Sequence, residues 1–123
     1  MKYSAKLIVP QFLFDKMKRL CTEYEPEGSR PFDENIQFNH NFMVSIQLCD
    51  GGDSYWTQGV LYQRAANEKD WCEIGCTEAA GTGEGIDGDY YIFDGDDEYL
   101  VNVVRADFSS LEKCEVEINE PEN

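Results

Sequence analysis

In FMVSIQLC, residues 42 to 49, Phe42, Val44, Ile46 and Leu48 alternate with Met43, Ser45, Gln47 and Cys49. Only an extended backbone sends successive side chains to opposite faces, so this period of two predicts a β-strand. The same signature recurs along the chain. In KYSAKLIV, Tyr3, Ala5, Leu7 and Val9 alternate with polar positions before the apolar run closes up, and CEVEI sets Cys114, Val116 and Ile118 against Glu115 and Glu117. SYWTQGVLYQR, DWCEIGCT, DYYIF and EYLVNVVRA carry the aromatic and β-branched residues that strands favour.

One segment has a different period. In PQFLFDKMKRLCTEY, Leu13, Met17, Leu20 and Tyr24 recur at helical spacing, and Phe14 and Cys21 widen the stripe. Pro10 suits a first helical turn, and Lys16, Lys18 and Arg19 take the other side and the C-terminal half. Glu25-Pro26-Glu27-Gly28 ends the helix. A polar loop to about Asn35 leads into IQFNHNFMVSIQLC, which reads as one strand. Asp50-Gly51-Gly52-Asp53 and Asp94-Gly95-Asp96-Asp97 are tight turns, AAGTGEGIDG is a loop, and Glu120 to Asn123 is a solvated end. These elements predict a single α+β domain over residues 1–123, its N-terminal helix packed on a mainly antiparallel sheet of about five to seven strands.

Charge narrows the function. The 123 residues carry a formal charge of −15, of which residues 84 to 123 contribute −11 and residues 1 to 24 contribute +3. Proteins that bind nucleic acid or anionic membranes directly need Lys and Arg to displace counterions, so the expected partner is basic. The 41% hydrophobic and 13% aromatic content is that of a folded chain, not of a disordered acidic tail. Pro10 cuts the apolar run Leu7-Ile8-Val9 short of a signal peptide or membrane span. Five cysteines, Cys21, Cys49, Cys72, Cys76 and Cys114, are odd in number and sit within apolar patterns, which suits reduced thiols in a cytoplasm.

Motifs for chemistry are weak. A calcium loop beginning at Asp87 would place Ile92 where the sharp turn requires Gly, and one beginning at Asp94 would place Tyr99 there and Arg105 in place of the bidentate Glu. The Gly81–Gly85 run misses the dinucleotide fingerprint, and Glu84 would repel phosphate. Cys72 and Cys76 lack the usual zinc knuckle spacing and, on a strand, fall on one face beside Ile74 as core residues. His40, the only histidine, lies in FNHNF at the start of a strand and reads as a hydrogen-bonded structural residue. No cofactor and no catalytic residue is expected.

The carboxylates of GEGIDGDYYIFDGDDEYLV remain to be explained. Alternate strand residues advance about 6.6 to 6.8 Å, close to two phosphate steps of about 3.4 Å each along one DNA strand. Glu115 and Glu117 make such a step, Asp87 and Asp89 another, and Asp96 and Glu98 a third if the strand begins that early. In size and charge alone the chain resembles the small acidic inhibitors that phages and other mobile elements direct against restriction and CRISPR nucleases, proteins that share no common fold. That resemblance implies a non-catalytic nucleic-acid mimic which blocks a basic nucleic-acid-binding protein such as a nuclease, in the host cytoplasm if phage-encoded. Asp87, Asp89, Asp94, Asp96, Asp97 and Glu98 are the expected contacts, extended by Glu115 and Glu117, with Tyr90, Tyr91 and Tyr99 as rigid anchors. A small binding module, immunity or accessory in kind, using Tyr55, Trp56 and Trp71 is the alternative, and a small metal-dependent hydrolase the third.

Overall fold

The computed structural model describes residues 1–22, 33–50, 55–78, 88–107 and 110–122. Strand β1 (Lys2–Val9) buries Ala5, Leu7 and Val9 and exposes Lys6, as its alternation requires. Pro10 then opens α1 (Gln11–Thr22), where Phe14 is buried, Leu13 packs against the core, and Lys16 and Arg19 are exposed. The remaining elements are β2 (Asp33–Gln37), β3 (Phe42–Asp50), β4 (Tyr55–Gln63), β5 (Cys72–Glu78), β6 (Gly88–Asp94), β7 (Asp97–Arg105) and β8 (Glu115–Glu122). The expected helix end at Glu25–Gly28, the turn at 51–53 and the glycine-rich loop at 79–87 lie outside the described residues.

The strands form two four-stranded sheets. The front sheet runs β6-β7-β1-β8, with β1 parallel to β7 and its other pairs antiparallel; the back sheet runs β2-β3-β4-β5, antiparallel throughout. Their facing sides make the core. Leu7, Tyr90, Ile92, Tyr99, Val101 and Val103 from the front meet Ile36, Val44, Ile46, Leu48 and Leu61 from the back. At Gly59 the layers come close: a Cβ there would stand 3.3 Å from both Ile92 and Tyr90 side chains. Glycine in β4 makes room for that crossing.

The expectation of one sheet covered by a helix is corrected in its finer part. Among the described residues the chain is mostly β with one short helix, but eight strands divide between two sheets that cover each other. Dimensions explain why. A helix of 12 residues is roughly 18 Å long and about 10 Å across, whereas strands spaced about 4.8 Å apart and running some 3.3 Å per residue present a far larger face. No single helix of that length can cover it. Helix α1 instead joins the core at the end where β1 and β7 finish. There Phe14 lies 5.6 Å from the Arg105 guanidinium, the Ala106 amide donates to the Val9 carbonyl, and the helix approaches β4.

A second difference concerns FNHN. The structure breaks the expected strand into the β2–β3 hairpin, because the Asn39 side-chain oxygen accepts from the amides of Asn41 and Phe42 at 2.8 and 3.1 Å. Such an Asx turn offers the backbone an alternative to the ladder. The expected solvated end is also shorter, since β8 runs to Glu122. No helix among the described residues is long and apolar enough to cross a membrane.

Aromatic rings fill the core at the end opposite α1. Tyr3 stacks on Tyr99 at 4.7 Å and 5°, Phe38 meets both edge-on, and Phe42 tilts against them. Tyr99 is 0% exposed and its hydroxyl has no hydrogen-bond partner. Burial, and then the nearby Tyr3, Asp97 and Asp94, push its ionisation well above the ordinary tyrosine range, so it stays neutral. A buried hydroxyl without an acceptor destabilises. Tyr99→Phe is therefore expected to raise stability by about 1 kcal/mol, whereas Tyr99→Ala, which empties the aromatic cluster, should lower it by about 3 to 5 kcal/mol. Denaturant melts of the two variants check this, and a Phe variant weaker than the parent would show that the hydroxyl is bonded.

Candidate functional site

The outward side of the front sheet is the one open sheet face on which expected contacts gather. Strand pairing arranges it in rows across β6, β7, β1 and β8. Phe93, Glu98 and Lys2 form the row nearest the β6–β7 turn; Tyr91, Leu100, Ser4 and Asn119 form the next. Asp89, Asn102, Lys6 and Glu117 follow, and Val104, Ile8 and Glu115 complete it. Asp89, Glu98, Tyr91, Glu115 and Glu117 thus share one surface, although they come from three strands.

Their settings differ. Asp89 accepts a 2.7 Å hydrogen bond from Asn102 Nδ2, which fixes its carboxylate. Glu98 is half-buried, with Lys2 Nζ 3.9 Å away, near the outer limit of an ion pair. Glu115 and Glu117 are exposed on the edge strand β8, two residues apart on the same side as expected. Charged side chains on an edge also deter sheet-to-sheet association, so these two have a structural use in any reading.

The hairpin carboxylates turn elsewhere. Gly95 takes a φ of +59° between Asp94 and Asp97, the left-handed conformation that Gly reaches without strain. Asp97 pairs with the Met1 amine at 3.2 Å, and the Asp96 carbonyl also accepts from that amine. Because β7 begins at Asp97, Asp96 sits in the turn and makes no strand step with Glu98. Asp87 lies outside the described residues.

Two expected anchors are corrected. Tyr90 and Tyr99 are both 0% exposed and point into the core, so neither can touch a partner. Tyr91, between them in sequence order and of opposite parity to Tyr90, is 44% exposed, and Phe93 beside it is 66% exposed. Phe93 was missed. The alternation of DYYIF contains the signal: once Ile92 faces the core, Tyr90 must join it and Tyr91 and Phe93 must face outward.

The other chemical groups are engaged locally. His40 lies in the turn, not on a strand. Its Nε2–H donates to the Ala66 carbonyl at 2.9 Å, and its Nδ1 faces Arg64 at 3.4 Å. Arg64 donates from Nε to the His40 carbonyl at 2.7 Å and lies over the Trp71 ring at 4.2 Å. That occupies one face of the ring proposed for the alternative binding module; the side chains of Tyr55 and Trp56 lie outside the described residues. The reading of Cys72 and Ile74 as core is also corrected, since both are exposed. A register shift opposite Leu61 and Tyr62 inserts Ile74 as an extra residue and interrupts the alternation on which that reading rested; the side chain of Cys76 lies outside the described residues. Among the described residues no group of three or more His, Cys, Asp or Glu could hold a metal ion.

No protein family model, curated protein or solved structure matches the chain.

Cys114 and Cys72 give the site region a chemical test. Burial, followed by the adjacent Glu34 carboxylate and a hydrogen bond to it, pushes the Cys114 thiol up to about 12. Because this lies above the 9.0 of an unperturbed thiol, Cys114 favours the folded state below about pH 9, and that contribution is lost as pH rises toward 12. Thiolates, not thiols, react with alkylating agents. Iodoacetamide at pH 8 is expected to label exposed Cys72 well before Cys114, and Glu34→Gln to speed labelling at Cys114, as read by peptide mass mapping. Equal rates at the two cysteines would contradict the burial and charge assigned to Cys114.

Proposed function

We propose that the chain is a non-catalytic inhibitor that binds a basic, nucleic-acid-binding protein by presenting an acidic surface in place of nucleic acid, and that it acts in the cytoplasm. The outward face of the front sheet is the docking surface, with Asp89, Glu98, Glu115 and Glu117 as its carboxylates and the turn carboxylates Asp94, Asp96 and Asp97 at its rim. The observation that carries this reading is the exposure of Tyr91 and Phe93, at 44% and 66%, amid these carboxylates. A face meant only for solvation has no use for two large exposed rings, whereas aromatic anchors within a charged surround are the usual composition of an interface.

Magnitude supports it. Small domains stay soluble with net charges of about 2 to 8, and −15 exceeds that while adding self-repulsion. No Asp or Glu whose side chain is described is buried, so the field of those carboxylates is directed outward. Such a field steers a basic groove into contact and raises the association rate. Lys2 and Lys6 interrupt the carboxylate rows, so the match to a phosphate array is partial, and register must come from the aromatic contacts as well.

Two variants with equal charge loss separate contact from bulk charge. One carries Asp89→Asn, Glu98→Gln, Glu115→Gln and Glu117→Gln; the other carries Asp15→Asn, Glu68→Gln, Asp70→Asn and Glu73→Gln, all exposed and none on a strand of the front sheet. The first is expected to dissociate from its partner at least about tenfold faster, while the second mainly slows association by a few-fold. Surface plasmon resonance at two salt concentrations measures both, and equal losses would mean that the face has no special standing.

A further inference from the structure

The outward face is not flat. Near the β6–β7 turn a concavity of about 330 Å³ is lined by Lys2, Tyr3, Ser4, Tyr91, Glu98 and Leu100. We propose that this concavity receives an arginine side chain of the basic partner; the inference rests on the function proposed above and names the contact that anchors it.

The lining supplies the parts that a guanidinium needs. Glu98 offers two carboxylate oxygens, and its side chain is only 25% exposed, so a charge-assisted pair there is less screened than at an open surface. Tyr91, 44% exposed, offers a ring face over which a planar cation can lie. Leu100, in the same row as Tyr91, gives the methylene stem an apolar wall. Ser4, paired with Leu100, adds a hydroxyl that already accepts a bond from Asn119 at 3.3 Å.

Lys2 is the present neighbour of Glu98 and would have to yield. Its side chain is 69% exposed and its ammonium stands 3.9 Å from the carboxylate, a separation at which a surface pair holds little. It can swing into solvent when a better-shaped cation arrives. Arginine is favoured over lysine as that cation, because a planar fork can bond two carboxylate oxygens and stack on a ring together, which a compact, strongly hydrated ammonium cannot. The overall charge of −15 provides the attraction, and the concavity provides the choice of residue.

Nona-arginine and nona-lysine peptides, titrated by calorimetry at matched ionic strength, test this without the natural partner. The arginine peptide is expected to bind about tenfold more tightly than the lysine peptide. Glu98→Gln and Tyr91→Ala should each erase that preference, while Glu68→Gln should weaken both peptides alike and keep it. Tyr91 and Glu98 both face outward, and a melting curve for each variant confirms that the fold is intact. Equal binding of the two peptides, or a preference that survives both face variants, would overturn the arginine site and leave the broader acidic docking surface standing. If neither peptide binds at low salt, the docking reading fails together with it.

Discussion

The parallel pairing of β1 with β7 is the contact on which the rest of the structure depends. It runs from Lys2 opposite Glu98 to Val9 opposite Arg105 and joins the first strand to one far along the sequence. Without β1 the front sheet would be two separate pieces, since β8 pairs only with β1 and β6 only with β7. The pairing also stacks Tyr3 on Tyr99 and delivers Leu7 and Val9 to the interlayer core. Closing so long a loop costs chain entropy before any contact rewards it. The buried apolar rows and the aromatic cluster are what offset that cost.

The same pairing builds the outward face. Lys2, Ser4, Lys6 and Ile8 from the first strand are laid between β7 and β8, so carboxylates that are far apart in sequence come to share a surface. Rigidity follows from what lies beneath. Tyr90, Ile92, Tyr99, Val101 and Val103 are each 3% exposed or less, which leaves their outward neighbours little freedom to move with the backbone. A pre-ordered surface loses less entropy on binding than a flexible acidic tail would. The acidic turn gains a similar footing from the Met1 amine, which bridges the Asp97 carboxylate and the Asp96 carbonyl.

Strand periodicity was legible because it is local. FMVSIQLC and KYSAKLIV declare their faces by alternation, and the Asp94–Asp97 turn by its Gly and Asp. The division into two sheets was not legible, because it depends on which strands pair across the whole chain, and local patterns carry no such label. The break at Asn39 was hidden by Phe38 and Phe42, whose apolar character continues the strand pattern across an Asx turn. For the candidate site, exposure of the acids could be read from charge and the shared side of Glu115 and Glu117 from alternation, but the gathering of acids from three strands on one face could not. Tyr90 and Tyr91 are adjacent, so only one can face outward, and Ile92 decides which; Asp96 falls out of the ladder because β7 starts one residue later.

On the function proposed, the acidic face takes the place of nucleic acid on its partner. Competition tests it most directly. With the partner isolated, the apparent dissociation constant of this chain should rise linearly with the concentration of a nucleic acid that the partner binds, at constant ionic strength, without reaching a plateau. A plateau, or a ternary complex of partner, nucleic acid and this chain detected by sedimentation, would contradict the claim.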